Sequence, residues 1–232
     1  MAISVDTVYQ RVLSILNKEQ RGYLTPVEFN LFANQAQLDI FEQYFYDINQ
    51  FGRLHGNGTE YSDMLNILNE KIDLFSTTDD LTYSVDKFTE PTDLYRLGTI
   101  IYTNGSEQIE AERINKNEFL YIMSSPIAKP RNTRPIYIRD QSGIKVYGDA
   151  ELTSGVKCNY IRKPAKVNWA YVNVFGDALY NATNSTDFEL HPSDELELVH
   201  KILAMAGLSI KDAETYQAGK AEDAQIVQRE KL

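Results

Sequence analysis

Three histidines, one cysteine and a scatter of carboxylates are what this 232-residue chain offers to chemistry. A metal centre needs His or Cys ligands in close spacing. His55, His191 and His200 lack that spacing, and Cys158, being alone, forms neither a thiolate cage nor an intrachain disulfide. Acid–base catalysis needs a nucleophile or basic group within reach of its carboxylates. Asp79-Asp80, Asp93 and Glu110/Glu112 have no such neighbour in sequence, and no Ser, His and Asp follow a triad arrangement. Asp140, Asp149 and Glu151, beside Gly143 and Gly148, fail the calcium-loop pattern of alternate oxygen ligands with a closing Glu. Gly56 and Gly58 are not followed by the Gly-Lys-Ser/Thr of a phosphate loop. The expectation is a protein that is not an enzyme and holds no cofactor and no metal.

Trp169 in "KVNWAYV", among many tyrosines, has two readings. One is a stacking platform in a β-rich module that binds glycan or peptide. The other is an aromatic of the core or of an interface.

Composition points to a folded chain, with 43% hydrophobic and 24% charged residues. No apolar run approaches the roughly 20 residues of a membrane span, and "MAISVDTVYQ" lacks the layout of a secretory signal. The sequons at Asn57 and Asn184 therefore carry little weight. A net charge of −10 argues against a protein that grips nucleic acid through its phosphates. The charge is uneven: residues 129–166 hold nine Lys or Arg against three Asp or Glu, leaving −16 for the remainder. Arg131, Arg134, Arg139 and Lys163 are the candidate basic patch for an acidic neighbouring subunit, as in a ring of like copies.

The elements that must position these residues are legible from period and caps. Ser4 caps a helix with Val5, Val8, Val12, Ile15 and Leu16 on one face, ended by Gly22. Thr25, Pro26 and Glu28 form a capping box for a second helix, with apolar positions at Phe29, Phe32, Ala36, Ile40, Phe41, Tyr44 and Ile48. A polar loop at 51–63 precedes a third helix to Ile72. From about residue 80 the period becomes that of strands, with a turn at Asn104-Gly105 and a short helix capped by Asn115. "RPIYIRD", "GIKVYGD" and "GVKCNYIRKP" predict three more strands, the first two joined at Gln141-Ser142-Gly143. Helix returns after His191-Pro192-Ser193, with Leu196, Val199, Ile202, Leu203 and Met205 near one face and Gly207 as a stop. A last, polar helix spans about 210–227, and its weak apolar face would not hold it on a core unaided.

The predicted fold is α+β: an antiparallel helical bundle from the N- and C-terminal segments with a β-rich insertion carrying a short helix. The expected divisions are 1–78, 79–190 and 191–232, the last comprising a bundle helix and a terminal helix.

Three stretches stand out in order: "NKEQRGYLTPVEFNLFANQAQLDIFEQYF", "PTDLYRLGTIIY" with "RPIYIRD…KVYG…CNYIRKP", and "DFELHPSDELELVHKILAMAGLSIKD". In these the chain resembles the head-to-tail adaptor (neck ring) proteins of short-tailed tailed bacteriophages, and looks closest to the ring proteins of crAss-like phages. The resemblance implies a virion protein of the neck, made in the host bacterial cytoplasm, twelve copies of which form a connector ring. It implies contact with the portal protein and with other ring or tail proteins. Genome DNA would pass through the channel without specific binding, and no membrane is involved. In such adaptors the C-terminal segment reaches the portal, which makes Tyr216, Gln225, Ile226, Val227 and Leu232 the candidate partner contacts.

Overall fold

The computed structural model describes residues 2–17, 24–51, 64–141, 143–175, 177–210 and 213–230. Gly22, Ser142, Leu232 and the polar loop from residue 52, with His55, Gly56, Gly58 and the Asn57 sequon, lie outside them. In chain order the first elements are α1 (Val5–Asn17), α2 (Pro26–Phe51) and α3 (Met64–Asp73). The strands β1 (Ser76–Asp80), β2 (Thr82–Ser84), β3 (Lys87–Thr89), β4 (Leu94–Asn104) and β5 (Glu107–Arg113) follow. Then come α4 (Lys116–Ser124), β6 (Ile136–Asp140), β7 (Gly143–Tyr147) and β8 (Val156–Arg162). The chain closes with β9 (Tyr171–Val174), β10 (Asp177–Tyr180), α5 (Glu195–Ile210) and α6 (Ala213–Glu230). Two compact units result, residues 1–74 with 164–232, and residues 75–163.

In the β unit, one sheet of eight strands runs in the order β1-β8-β4-β5-β6-β7-β3-β2. Its two edges, β1 and β2, are separated in sequence by Leu81 alone, so the sheet must curl until those edges meet. Leu81 is buried and its N–H donates to the Val156 carbonyl at 2.9 Å. Register shifts between β4 and β8 supply the bend, and Gly98 sits there against the Asn159 backbone, where a Cβ would lie 2.9 Å from the carbonyl oxygen. Phe88, Ile100, Ala111, Ile144, Val146, Val156 and Cys158 fill the interior, as the inward-facing residues of a small barrel must.

The expectation of an antiparallel helical bundle with a β-rich insertion is therefore corrected. An eight-stranded, nearly closed barrel-like sheet dominates a mixed α/β chain in which the described residues form six helices. The physical reason lies in the closing strands. β1 is "STTDD", which carries no apolar alternation, and β2, though it alternates about Tyr83, is only three residues long.

In the other unit, Val5, Val8, Val12 and Leu16 of α1 are buried, while Ile15 faces solvent. The capping box forms: Thr25 Oγ1 accepts from the Glu28 N–H at 3.3 Å, and Glu28 Oε2 accepts from the Thr25 N–H at 3.0 Å. Thr25 Oγ1 also donates to Glu28 Oε2 at 2.7 Å, and this bond first, then the Thr25 N–H, holds the Glu28 carboxyl below its usual range. α2 buries Phe29, Ala33, Ala36, Ile40, Phe41 and Tyr44. α5 packs on α1, α2 and α6, and it continues past the expected stop at Gly207 to Ile210. Three amides of α2 at i, i+4 and i+7 take the place of a neighbouring strand for residues 165–169. Asn30 bonds the Trp169 N–H at 2.7 Å, Asn34 bonds the Val167 N–H and carbonyl at 2.9 and 2.8 Å, and Gln37 bonds the Ala165 carbonyl at 2.8 Å.

Candidate assembly surfaces

Among the described residues, several groups with chemical potential are engaged in structural contacts, while His200 Nδ1 is buried without a hydrogen-bond partner. Cys158 is buried in the barrel wall, and burial first, then the Asp79 charge, pushes its thiol up to about 11. Asp79 and Asp93, far apart in sequence, converge on one hydroxyl. Tyr160 Oη donates to Asp79 Oδ2 at 2.6 Å and lies 3.0 Å from Asp93 Oδ1. Burial and these two carboxylates hold its phenol well above the usual range, so it stays a neutral donor that ties β1 and the approach to β4 onto β8. Nothing in the sequence signals that convergence.

Asp194 is buried with Lys71, whose Nζ lies 2.7 Å from Oδ1, and accepts a hydrogen bond from the Tyr44 hydroxyl on its other oxygen. His191 Nδ1 accepts the Ser193 N–H and so caps the turn that leads into α5. The acids beside Gly143 and Gly148 are engaged by groups of the chain itself: Asp140 with Lys116 at 2.7 Å, Asp149 with the Asn132 N–H at 3.4 Å, and Glu151 with Lys145 at 3.9 Å. Among the described residues, no three His, Cys, Asp or Glu side chains gather as metal ligands.

The basic stretch is partly neutralised from within the barrel. Arg139 grips Glu90 through two bonds of 2.6 and 2.9 Å, which raise its pKa, and Arg134 bonds Glu112 at 2.9 Å. Arg131 and Arg134 form a tight backbone pair in a turn, and Lys163 is exposed. Arg134, Arg113, Glu110, Glu112 and Tyr137 line a cleft of about 460 Å³ whose charges are of both signs. It favours neither an anion nor a cation.

α6 lies on α5 more closely than its polar sequence foretells. Gly219 is buried against Ala204, and Lys201 of α5 binds Asp223 at 3.1 Å and Glu197 at 3.4 Å. Of the candidate partner contacts, Tyr216 is half-buried with Lys220 Nζ 5.4 Å from its ring centroid, and Gln225 is exposed. Ile226 and Val227 belong to the same helix.

Large apolar side chains stand in water at Leu120, Tyr121 and Ile127, on and just after α4, and on the β9–β10 hairpin, a two-stranded sheet by itself. Its base is firm: Tyr171 and Tyr180, paired across the strands, both stack on Trp169 at 5.9 and 5.7 Å. Trp169 is 2% exposed, packs on Tyr9 and donates its Nε1–H to Asp6 at 2.9 Å. It is a core aromatic, and no stacking platform is open there. Beyond the base, Val172, Val174 and Leu179 are exposed and Phe175 is fully exposed. Phe175 also has φ +54°, a left-handed conformation costing a non-glycine residue about 1 kcal/mol. Val85, at the tip between β2 and β3, repeats the pattern with φ +48° and 84% exposure. The sequence signal was available: a large apolar residue stands where a turn calls for Asn or Gly.

No protein-family model matches the chain, and no curated protein matches it either.

Proposed function

We propose that this chain is a non-catalytic structural subunit, the head-to-tail connector of a short-tailed bacteriophage. Copies of it form a ring between portal and tail around the path of the genome. The observation that carries the reading is the β9–β10 hairpin, which holds aliphatic and aromatic side chains in water on a rigid base. Exposed apolar patches of this kind mark surfaces that other protein chains cover. The engagement of Cys158, Tyr160, Asp194 and His191 in structural contacts agrees with a protein that performs no chemistry. An acidic chain also suits a conduit that DNA traverses without adhering. In this reading α6, whose Gln225 is exposed, reaches the portal. Electron microscopy of the purified chain, alone and with portal protein, tests the proposal. Closed rings, or rings formed on the portal, are expected. A chain that stays monomeric at high micromolar concentration and ignores the portal overturns it.

A further inference from the structure

α2 carries a second apolar line. Val27, Leu31 and Leu38, spaced by four and seven residues, are 58%, 65% and 37% exposed, on a side distinct from the buried row at Phe29, Ala33, Ala36 and Ile40. A helix on a domain surface needs one such stripe; α2 has two. The outer line is about 16 Å long at 1.5 Å per residue. A four-residue strand such as β9 is about 13 Å long, so the two surfaces match in length.

We propose that the β9–β10 hairpin of one copy of this chain seats on the outer stripe of α2, Val27, Leu31 and Leu38, of a second copy. The inference rests on the ring reading and specifies its interface. At about 150–200 Å² for a fully exposed large side chain, the hairpin offers roughly 430 Å² and the stripe roughly 280 Å². With the ~57% non-polar share usual at interfaces, that corresponds to about 1,200 Å² in all, the lower end of a specific contact. One repeated contact between copies covers both surfaces, while the exposed Leu120, Tyr121 and Ile127 on and after α4 stay outside it. Donor and receiver are different surfaces, so the contact is heterologous: each copy gives a hairpin to one neighbour and a stripe to the other, until the ring closes. The ring of Phe175, strained at the tip, would find its offset in that neighbour.

The test uses the buried, unreactive state of Cys158, which leaves introduced thiols as the reactive ones. The double variant Phe175→Cys/Leu31→Cys, oxidised under mild conditions, is expected to give a ladder of covalent dimers, trimers and larger species. Each single variant should give none of the higher species. A mixture of F175N and L31E, each retaining one intact half, should yield dimers only, and each alone should associate at least tenfold more weakly than the parent chain. F175N relaxes the turn, so its monomer should melt no lower than the parent, which separates lost assembly from lost folding. Parent oligomers without a ladder, or with dimers that the Phe175→Cys single variant forms equally well by itself, overturn this interface and leave the ring reading standing. A monomeric parent with no ladder overturns both.

Discussion

Asn34 and Val167 exchange a pair of hydrogen bonds as two facing strand residues would: the Asn34 amide nitrogen donates to the Val167 carbonyl at 2.8 Å, and its oxygen accepts the Val167 N–H at 2.9 Å. Replacing Asn34 by Leu deletes both and leaves two part-buried backbone groups without partners. Each such group costs about 1–3 kcal/mol, partly recovered where water reaches it. Asn34→Leu should therefore destabilise the chain by roughly 2–3 kcal/mol, a fall in Tm of about 4–12 °C for a protein of this size. Thermal unfolding followed by circular dichroism checks it, and an unchanged Tm would show that residues 165–169 need no support from α2.

Gly219 permits α6 to approach α5. A Cβ there would meet the Ala204 nitrogen at 2.9 Å and its Cα and Cβ at 3.1 Å, with rigid backbone among the atoms in the way. Gly219→Leu should push the helices apart at a cost of about 1–3 kcal/mol, despite leucine's better helix propensity. Faster proteolysis within residues 213–230, with the barrel intact, is the expected signature. Equal protease resistance in the variant would show that α6 is held by other contacts.

The legible parts of the fold are those written locally. Thr25, Pro26 and Glu28 specify the start of α2 by themselves, and the box they form is the one expected. Asn104-Gly105 likewise joins β4 to β5, with Gly105 at φ +64°. Asn115 is the N-cap residue of α4 but makes no side-chain capping bond. Barrel closure was illegible because it depends on β1, whose "STTDD" has no apolar face and pairs with β8 some eighty residues away. For the same reason the meeting of Asp79 and Asp93 at Tyr160 leaves no trace in sequence spacing. The second stripe of α2 was written locally, but two apolar sides blur the single periodic signal by which a helix face is recognised.

Lys201 gives α5 and α6 a pH dependence. Burial pulls its pKa down, but Asp223 and Glu197 outweigh burial and hold it above the usual lysine value. Because the folded-state pKa is the raised one, this contribution is fully present below the unfolded value of about 10.4 and is lost as pH rises through the folded pKa. Lys201→Met should destabilise the neutral protein by about 1–2 kcal/mol, since two carboxylates remain facing each other in a partly screened site. It should also flatten part of the decline in Tm as pH rises above about 10.4. A parent and variant whose Tm values fall in parallel over that window would exclude Lys201 as a source of the dependence.

Cys158 reports on the barrel. Its thiol is buried among Ile100, Val156 and Tyr160 and pushed to about 11, so at pH 8 both access and thiolate are lacking. A disulfide reagent should label the native chain at least a hundredfold more slowly than the denatured chain, at a rate set by opening of the sheet rather than by reagent concentration. Tyr160→Phe removes the hydroxyl that links β8 to Asp79 of β1 and to Asp93, leaving the two carboxylates without their shared donor. That change should loosen the β1 edge and speed the labelling, while the exposure of α5 and α6 to protease stays as it was. Labelling of the parent chain as fast as in denaturant would mean that β1 and β2 do not close over the core, and the account of the barrel given by their adjacency across Leu81 would fail.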